Sequence, residues 1–108
     1  IAEVVLTEAG NGNIPLRTEL LGNVPNPFNP ETRIDFALSA PGHVRLEIYN
    51  VKGQSVRSLL DTDMEPGFYN LNWDGTDLSG RRATSGIYFY RLEVDSQTRQ
   101  TRRMLLLK

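Results

Sequence analysis

From Thr32 onward the chain alternates apolar and polar residues with a period of two, and nowhere with the period of a helix. In "TRIDFAL" (32–38), Ile34, Phe36 and Leu38 share one face while Arg33 and Asp35 take the other. "HVRLEIYN" (43–50) sets Val44, Leu46 and Ile48 against His43, Arg45 and Glu47. In "FYNLNW" (68–73), Tyr69, Leu71 and Trp73 fall together, and in "IYFYRLEVD" (87–95) so do Tyr88, Tyr90, Leu92 and Val94. This pattern belongs to strands with one packed face and one wet face. "SVRSLLD" and the terminal "TRRMLLLK" read as two further strands, the last expected to be buried on both faces. Turn clusters such as "SAPG", the hairpin turn "VKGQ" and the long "DGTDLSGRRATSG" separate the runs, and "DTDMEPG" (61–67) reads as an acidic loop. The spacing predicts an all-β fold: an immunoglobulin-like antiparallel sandwich of about seven strands.

At 108 residues the chain supports a single core. A formal net charge of −1 gives no electrostatic ground for a nucleic-acid partner or an anionic membrane. There are no cysteines, which excludes disulfides and thiolate metal sites. The apolar run Met104–Leu107 is far shorter than the ~20 residues of a membrane helix, so no transmembrane segment is expected. "IAEVVL" is too short, and too poor in flanking basic residues, for a signal peptide. A chain beginning at Ile1 is expected to be cut from a longer protein. "GNGN" (10–13) is a flexible break. Residues 1–17 are therefore expected to be a linker or an edge strand left from a preceding domain, with residues 18–108 forming the domain proper.

Catalytic chemistry finds little to work with. The single histidine, His43, falls on a polar strand face, and neither a G-x-S-x-G elbow nor an S-x-x-K pair occurs. No enzymatic role is expected. Asp61, Asp63 and Glu65 imitate the first half of a calcium-binding EF-hand loop, but Pro66 stands where that loop needs glycine and Asn72 where it needs glutamate. Asp74 and Asp77 are two carboxylates in a segment whose turns need Asx chemistry. No metal or other cofactor is expected from either loop. Most aromatic residues fall at inward positions, with Tyr49 the exception, so a sugar-stacking platform is not expected.

Two segments are left over by this accounting. "NVPNPFNPETRIDF" (23–36) carries Pro25, Pro27 and Pro30 directly ahead of a strand. Each proline fixes φ, lacks an N–H and drives its predecessor toward extended backbone. The segment is expected to be a stiff lead-in that cannot join a full ladder and that sets Phe28 over one end of the sandwich. At the other terminus, Arg99, Arg102, Arg103 and Lys108 accompany Met104, Leu105, Leu106 and Leu107 with no acid among them. A basic, strand-forming end is something a partner could read by strand addition or by capture of the carboxylate.

Taken in order, "NVPNPFNPETRI", "GHVRLEIYNVKGQSVRSLL", "GFYNLNWDGTDLSGRRATSGIYFYRL" and "RRMLLLK" resemble the motifs of the C-terminal sorting domain of type IX secretion cargo. The resemblance spans residues 18–108. It implies a sandwich at the end of a large secreted protein of Bacteroidetes or related phyla, delivered through the periplasm to the cell surface or beyond. The implied partners are the outer-membrane translocon, its shuttle protein and a surface sortase that attaches cargo to lipopolysaccharide. The implied recognition residues are Pro25, Asn26, Pro27, Phe28, Asn29 and Pro30; Gly86, Ile87 and Tyr88; and Arg103, Met104, Leu105, Leu106, Leu107 and Lys108. The family's tail often carries several lysines, whereas arginines supply most of the charge here. The block "WDGTDLSGRRATSGIYFYRL" is also similar to the immunoglobulin-like domain of the flagellar hook-capping protein, which implies a structural spacer or assembly module instead.

Overall fold

The structure, a computed structural model, describes residues 4–6 and 14–108. Among these residues are eight strands: β1 (Val4–Leu6), β2 (Glu19–Val24), β3 (Thr32–Leu38), β4 (Gly42–Tyr49), β5 (Ser55–Met64), β6 (Gly67–Trp73), β7 (Gly86–Val94) and β8 (Gln97–Leu106). They form two four-stranded sheets, ordered β1-β6-β3-β2 and β5-β4-β7-β8, and every neighbouring pair is antiparallel. The expected immunoglobulin-like sandwich is thus present, and no helix occurs among the described residues.

The inward sets read from the sequence fill the space between the sheets. Ile34, Phe36 and Leu38 come from β3, Val44, Leu46 and Ile48 from β4, and Leu71 and Trp73 from β6. Tyr88, Tyr90, Leu92 and Val94 come from β7, and all of these residues are buried. Tyr69 sits at the margin, its ring stacked on Phe36 at 5.4 Å between centroids.

Three sequence expectations are corrected. Asp61 and Asp63 do not lie in a loop: β5 continues through them to Met64, with Asp61 opposite Arg45 and Asp63 opposite His43. The cross-strand positive partners make an extended acidic run tolerable. The last strand begins at Gln97 rather than Thr101, and it is not buried on both faces. Met104 and Leu106 are buried, Leu105 is half-buried and Leu107 is 49% exposed, because among the described residues no further layer covers the outer side of the second sheet. Finally, "ELLGNV" forms β2, a strand the alternation did not reveal. A bulge between Leu20 and Gly22 shifts its register against β3, so Leu20 and Asn23, three apart, both face inward.

Candidate functional site

The proline segment begins where β2 ends. Asn23, only 8% exposed, donates from Nδ2 to Thr32 Oγ1 (3.1 Å) and accepts at Oδ1 from the Tyr90 hydroxyl (3.1 Å). Thr32 Oγ1 in turn donates to the Pro25 carbonyl (2.9 Å). These bonds tie both ends of the segment to β3 and β7, and burial pushes the Tyr90 phenol above its ordinary pKa. Between the anchors the chain arches over the end of the sandwich as a strap. Pro25, Asn26, Pro27, Asn29 and Pro30 are exposed, while Phe28 points down and is 2% exposed.

Phe28 lands on an aromatic stack. Its ring lies 5.6 Å from Trp73, which meets Tyr88 edge-on at 5.4 Å. The Trp73 indole donates to the Thr76 carbonyl (2.9 Å), and the Tyr88 hydroxyl donates to the Thr84 carbonyl (2.7 Å). The long loop after β6 therefore holds the stack from beneath. Gly75 brings that loop against the strap: a Cβ there would stand 2.6 Å from the Pro30 carbonyl oxygen. Asp74 accepts from the Thr76 hydroxyl (2.5 Å) and amide (3.0 Å), and Asp77 accepts from the Ser79 hydroxyl (2.7 Å), the Ser79 amide (2.9 Å) and the Arg81 amide (3.0 Å). These bonds, led by the hydroxyls of Thr76 and Ser79, hold both carboxyls below their ordinary pKa. The two aspartates shape the loop from within.

The terminal strand lies between the strap and β7. On one side Gly86, Ile87 and Tyr88 stand opposite Leu106, Leu105 and Met104, with Phe89 opposite Arg103. On the other, the Phe28 amide donates to the Leu105 carbonyl and the Leu107 amide donates to the Phe28 carbonyl, each at 3.0 Å, which makes Phe28 a parallel bridge partner of Leu106. Asn26 Oδ1 accepts from the Leu105 amide (3.0 Å), and Ser85 Oγ accepts from the Lys108 amide (3.0 Å). Three sequence blocks, the first more than fifty residues ahead of the other two, thus meet at one end of the domain. Strand addition at Leu105 and Leu107 finds its hydrogen-bonding groups already taken. Arg103, Ile87, Leu107 and Lys108 remain exposed there. A cleft of about 220 Å³ beside Lys108 is bounded by Asn29, Pro30, Arg82 and Leu106.

Sequence reading passed over Asn23 and Ser85. The only signal for Asn23 was its place two residues ahead of a proline; Ser85 offered none beyond its place before Gly86. At the opposite end, His43 bridges two acids, Nε2 to Asp61 (2.5 Å) and Nδ1 to Asp63 (2.7 Å), and these bonds, Asp61's first, raise its pKa. Among the described residues, no three His, Asp or Glu side chains are grouped as metal ligands.

The sandwich and its strapped end define an immunoglobulin-like module. The chain belongs to the FlgD Ig-like domain family, whose model matches residues 22–99. Among solved structures it is similar to dimeric latent PorU from Porphyromonas gingivalis, at 22% identity and a TM-score of 0.72, over 89% of this chain and 10% of that one. It is also similar to PorZ, described as an essential surface component of the type-IX secretion system of Porphyromonas gingivalis. There the identity is 18% and the TM-score 0.55, over 84% of this chain and 11% of that one. The chain thus spans about a tenth of each, and at these identities the likeness is one of fold. No curated protein matches.

Proposed function

We propose that residues 18–108 form a non-catalytic C-terminal sorting domain that directs a secreted protein through the type IX pathway to the cell surface, where translocon, shuttle and sortase would be its partners. The observation that carries this reading is the convergence of Pro25–Pro30, Gly86–Tyr88 and Arg103–Lys108 on one end of the sandwich. A spacer needs its terminal strand only for packing. Here the strand is held at both edges while Arg103, Leu107 and Lys108 face solvent, an arrangement suited to display. The likeness to a domain-sized part of PorZ supports the same pathway.

A rival reading, a structural module of the hook-capping type, is favoured by the family match. Residues 100–108, on which the two readings differ, lie outside its matched stretch. Fusing the 108-residue chain behind a periplasmic reporter, in a bacterium that has the pathway, separates them. The β1–β6 pairing argues for retaining residues 1–17 in the fusion. Sorting predicts reporter at the surface, and its retention in the periplasm when Lys108→Ala is combined with Arg103→Ala in a folded domain. Retention of the reporter in the periplasm by the wild-type chain itself would favour the spacer.

A further inference from the structure

The outer face of the second sheet is divided in two. One end carries a ladder of paired charges: His43 with Asp61 and Asp63, Arg45 with Glu47 and Glu93, and Arg91 with Glu93. At the other end the pairing stops and apolar groups take over. Tyr49 stands opposite Phe89, Phe89 opposite Arg103, and Ile87 opposite Leu105; partners in an antiparallel ladder project to the same side. Ile87 is 43% and Leu107 49% exposed, while Phe89 and Leu105 are half-buried. Arg91 marks the border, its guanidinium 4.5 Å above the Tyr49 ring. Among the described residues, no carboxylate lies within ion-pair reach of Arg103 or Lys108.

Resting on the sorting reading, we infer that this apolar end, centred on Ile87, Phe89, Leu105 and Leu107, is a docking face for a folded partner protein. The partner's contact is apolar at its centre and carries a carboxylate opposite Arg103. The occupant follows from what the face offers. An incoming strand is disfavoured because the strap already holds the amides of Leu105 and Leu107. An unpaired cation at the margin of an apolar patch loses hydration on docking, and an opposed carboxylate offsets that loss and fixes the register. A strand held at both edges brings its side chains ready-placed, so little ordering entropy is lost on contact.

The reporter fusion tests this with two readouts. Ile87→Glu combined with Leu107→Glu, and separately Arg103→Glu, are compared with wild type for surface delivery, each first checked for an unchanged melting temperature. Loss of delivery by about tenfold or more in the folded variants is expected. If wild type is delivered and the folded variants are delivered equally, the docking face is overturned and the sorting reading stands. The second readout does not depend on delivery: a benzophenone amino acid at position 87, irradiated in the intact cell. A single protein adduct, absent when the probe sits at position 63, lost in Arg103→Glu and restored in Arg103→Lys, supports the face. If wild type is not delivered, the sorting reading fails, and the absence of such an adduct then overturns the docking face as well.

Discussion

Replacing Phe28 with alanine removes the ring that seats the proline strap on the sandwich. Burying a phenylalanine side chain fully contributes about 1.5–3 kcal/mol, and the tilted contact with Trp73 adds about 0.5–1.5 kcal/mol. Because the strap is anchored at Asn23 and Thr32, it cannot simply collapse into the space, so a cavity cost remains. The sum falls in the range of about 3–5 kcal/mol typical of such truncations. Against a net stability of about 5–15 kcal/mol, this is a large fraction. With a conversion of about 4–8 °C per kcal/mol for a domain of this size, the melting temperature should fall by about 12–40 °C. A local signature should accompany it. The Leu105 and Leu107 amides, bonded to Asn26 Oδ1 and the Phe28 carbonyl, should lose hydrogen-exchange protection before the amides between β4 and β7. Phe28→Leu should recover most of both effects. A melting temperature within about 3 °C of wild type, with those two amides still protected, would refute the account of Phe28 as the strap's anchor.

Three further outcomes follow from the same geometry. Tyr90→Phe leaves Asn23 Oδ1 buried without its donor and should lower stability by about 1–3 kcal/mol, read as a shifted denaturation midpoint at unchanged slope. Gly75→Ala meets the Pro30 carbonyl at 2.6 Å from a backbone at φ +81°, whereas Gly80→Ala, at φ +84°, meets nothing within 4 Å. The first should therefore cost at least about 1 kcal/mol more than the second, the backbone cost being common to both, and equal melting temperatures would contradict the close approach. His43 should titrate above its ordinary value of 6.5 by NMR, and Asp61→Asn with Asp63→Asn should return it. Since the folded value is the raised one, the stability it contributes is fully present below the unfolded pKa and disappears as pH rises through the folded pKa.

Where one face packs and the other is wet, the fold could be read directly. β3, β4, β6 and β7 carry their inward residues at every second position, as the core requires. Reading failed where another force set the geometry. In β2 a bulge between Leu20 and Gly22 breaks the period, so no alternation was there to find. In β5 the acids at 61 and 63 suggested a loop because their partners His43 and Arg45 lie across a ladder that only the register reveals. The site was legible in pieces. Prolines spaced around Phe28 do imply a stiff segment projecting one ring. That the ring falls beside Trp73, and that its backbone then bonds Leu105 and Leu107, depends on sheet packing between residues almost eighty apart.

That same packing decides which experiments can distinguish a signal from a scaffold. Deleting residues 103–108 looks like the direct test of a terminal signal, yet it also removes Met104 and Leu106, both 2% exposed. Losing two such side chains costs on the order of 4–10 kcal/mol, comparable with the whole stability of a domain. It also removes the hydrogen-bond partners of Phe28 and exposes the Trp73 stack. A truncated chain would therefore be unfolded whether or not its end is ever read, and its failure to reach the surface would say nothing about recognition. The burial pattern at the chain's end provides the way out. Met104 and Leu106 belong to the core, while Arg103, Leu107 and Lys108 are exposed, so single changes at those three positions alter what a partner meets and leave the core intact. If the end of this chain is an address, it is written on the outward side of a strand whose inward side holds the domain together, and only substitutions confined to the outward side can test it.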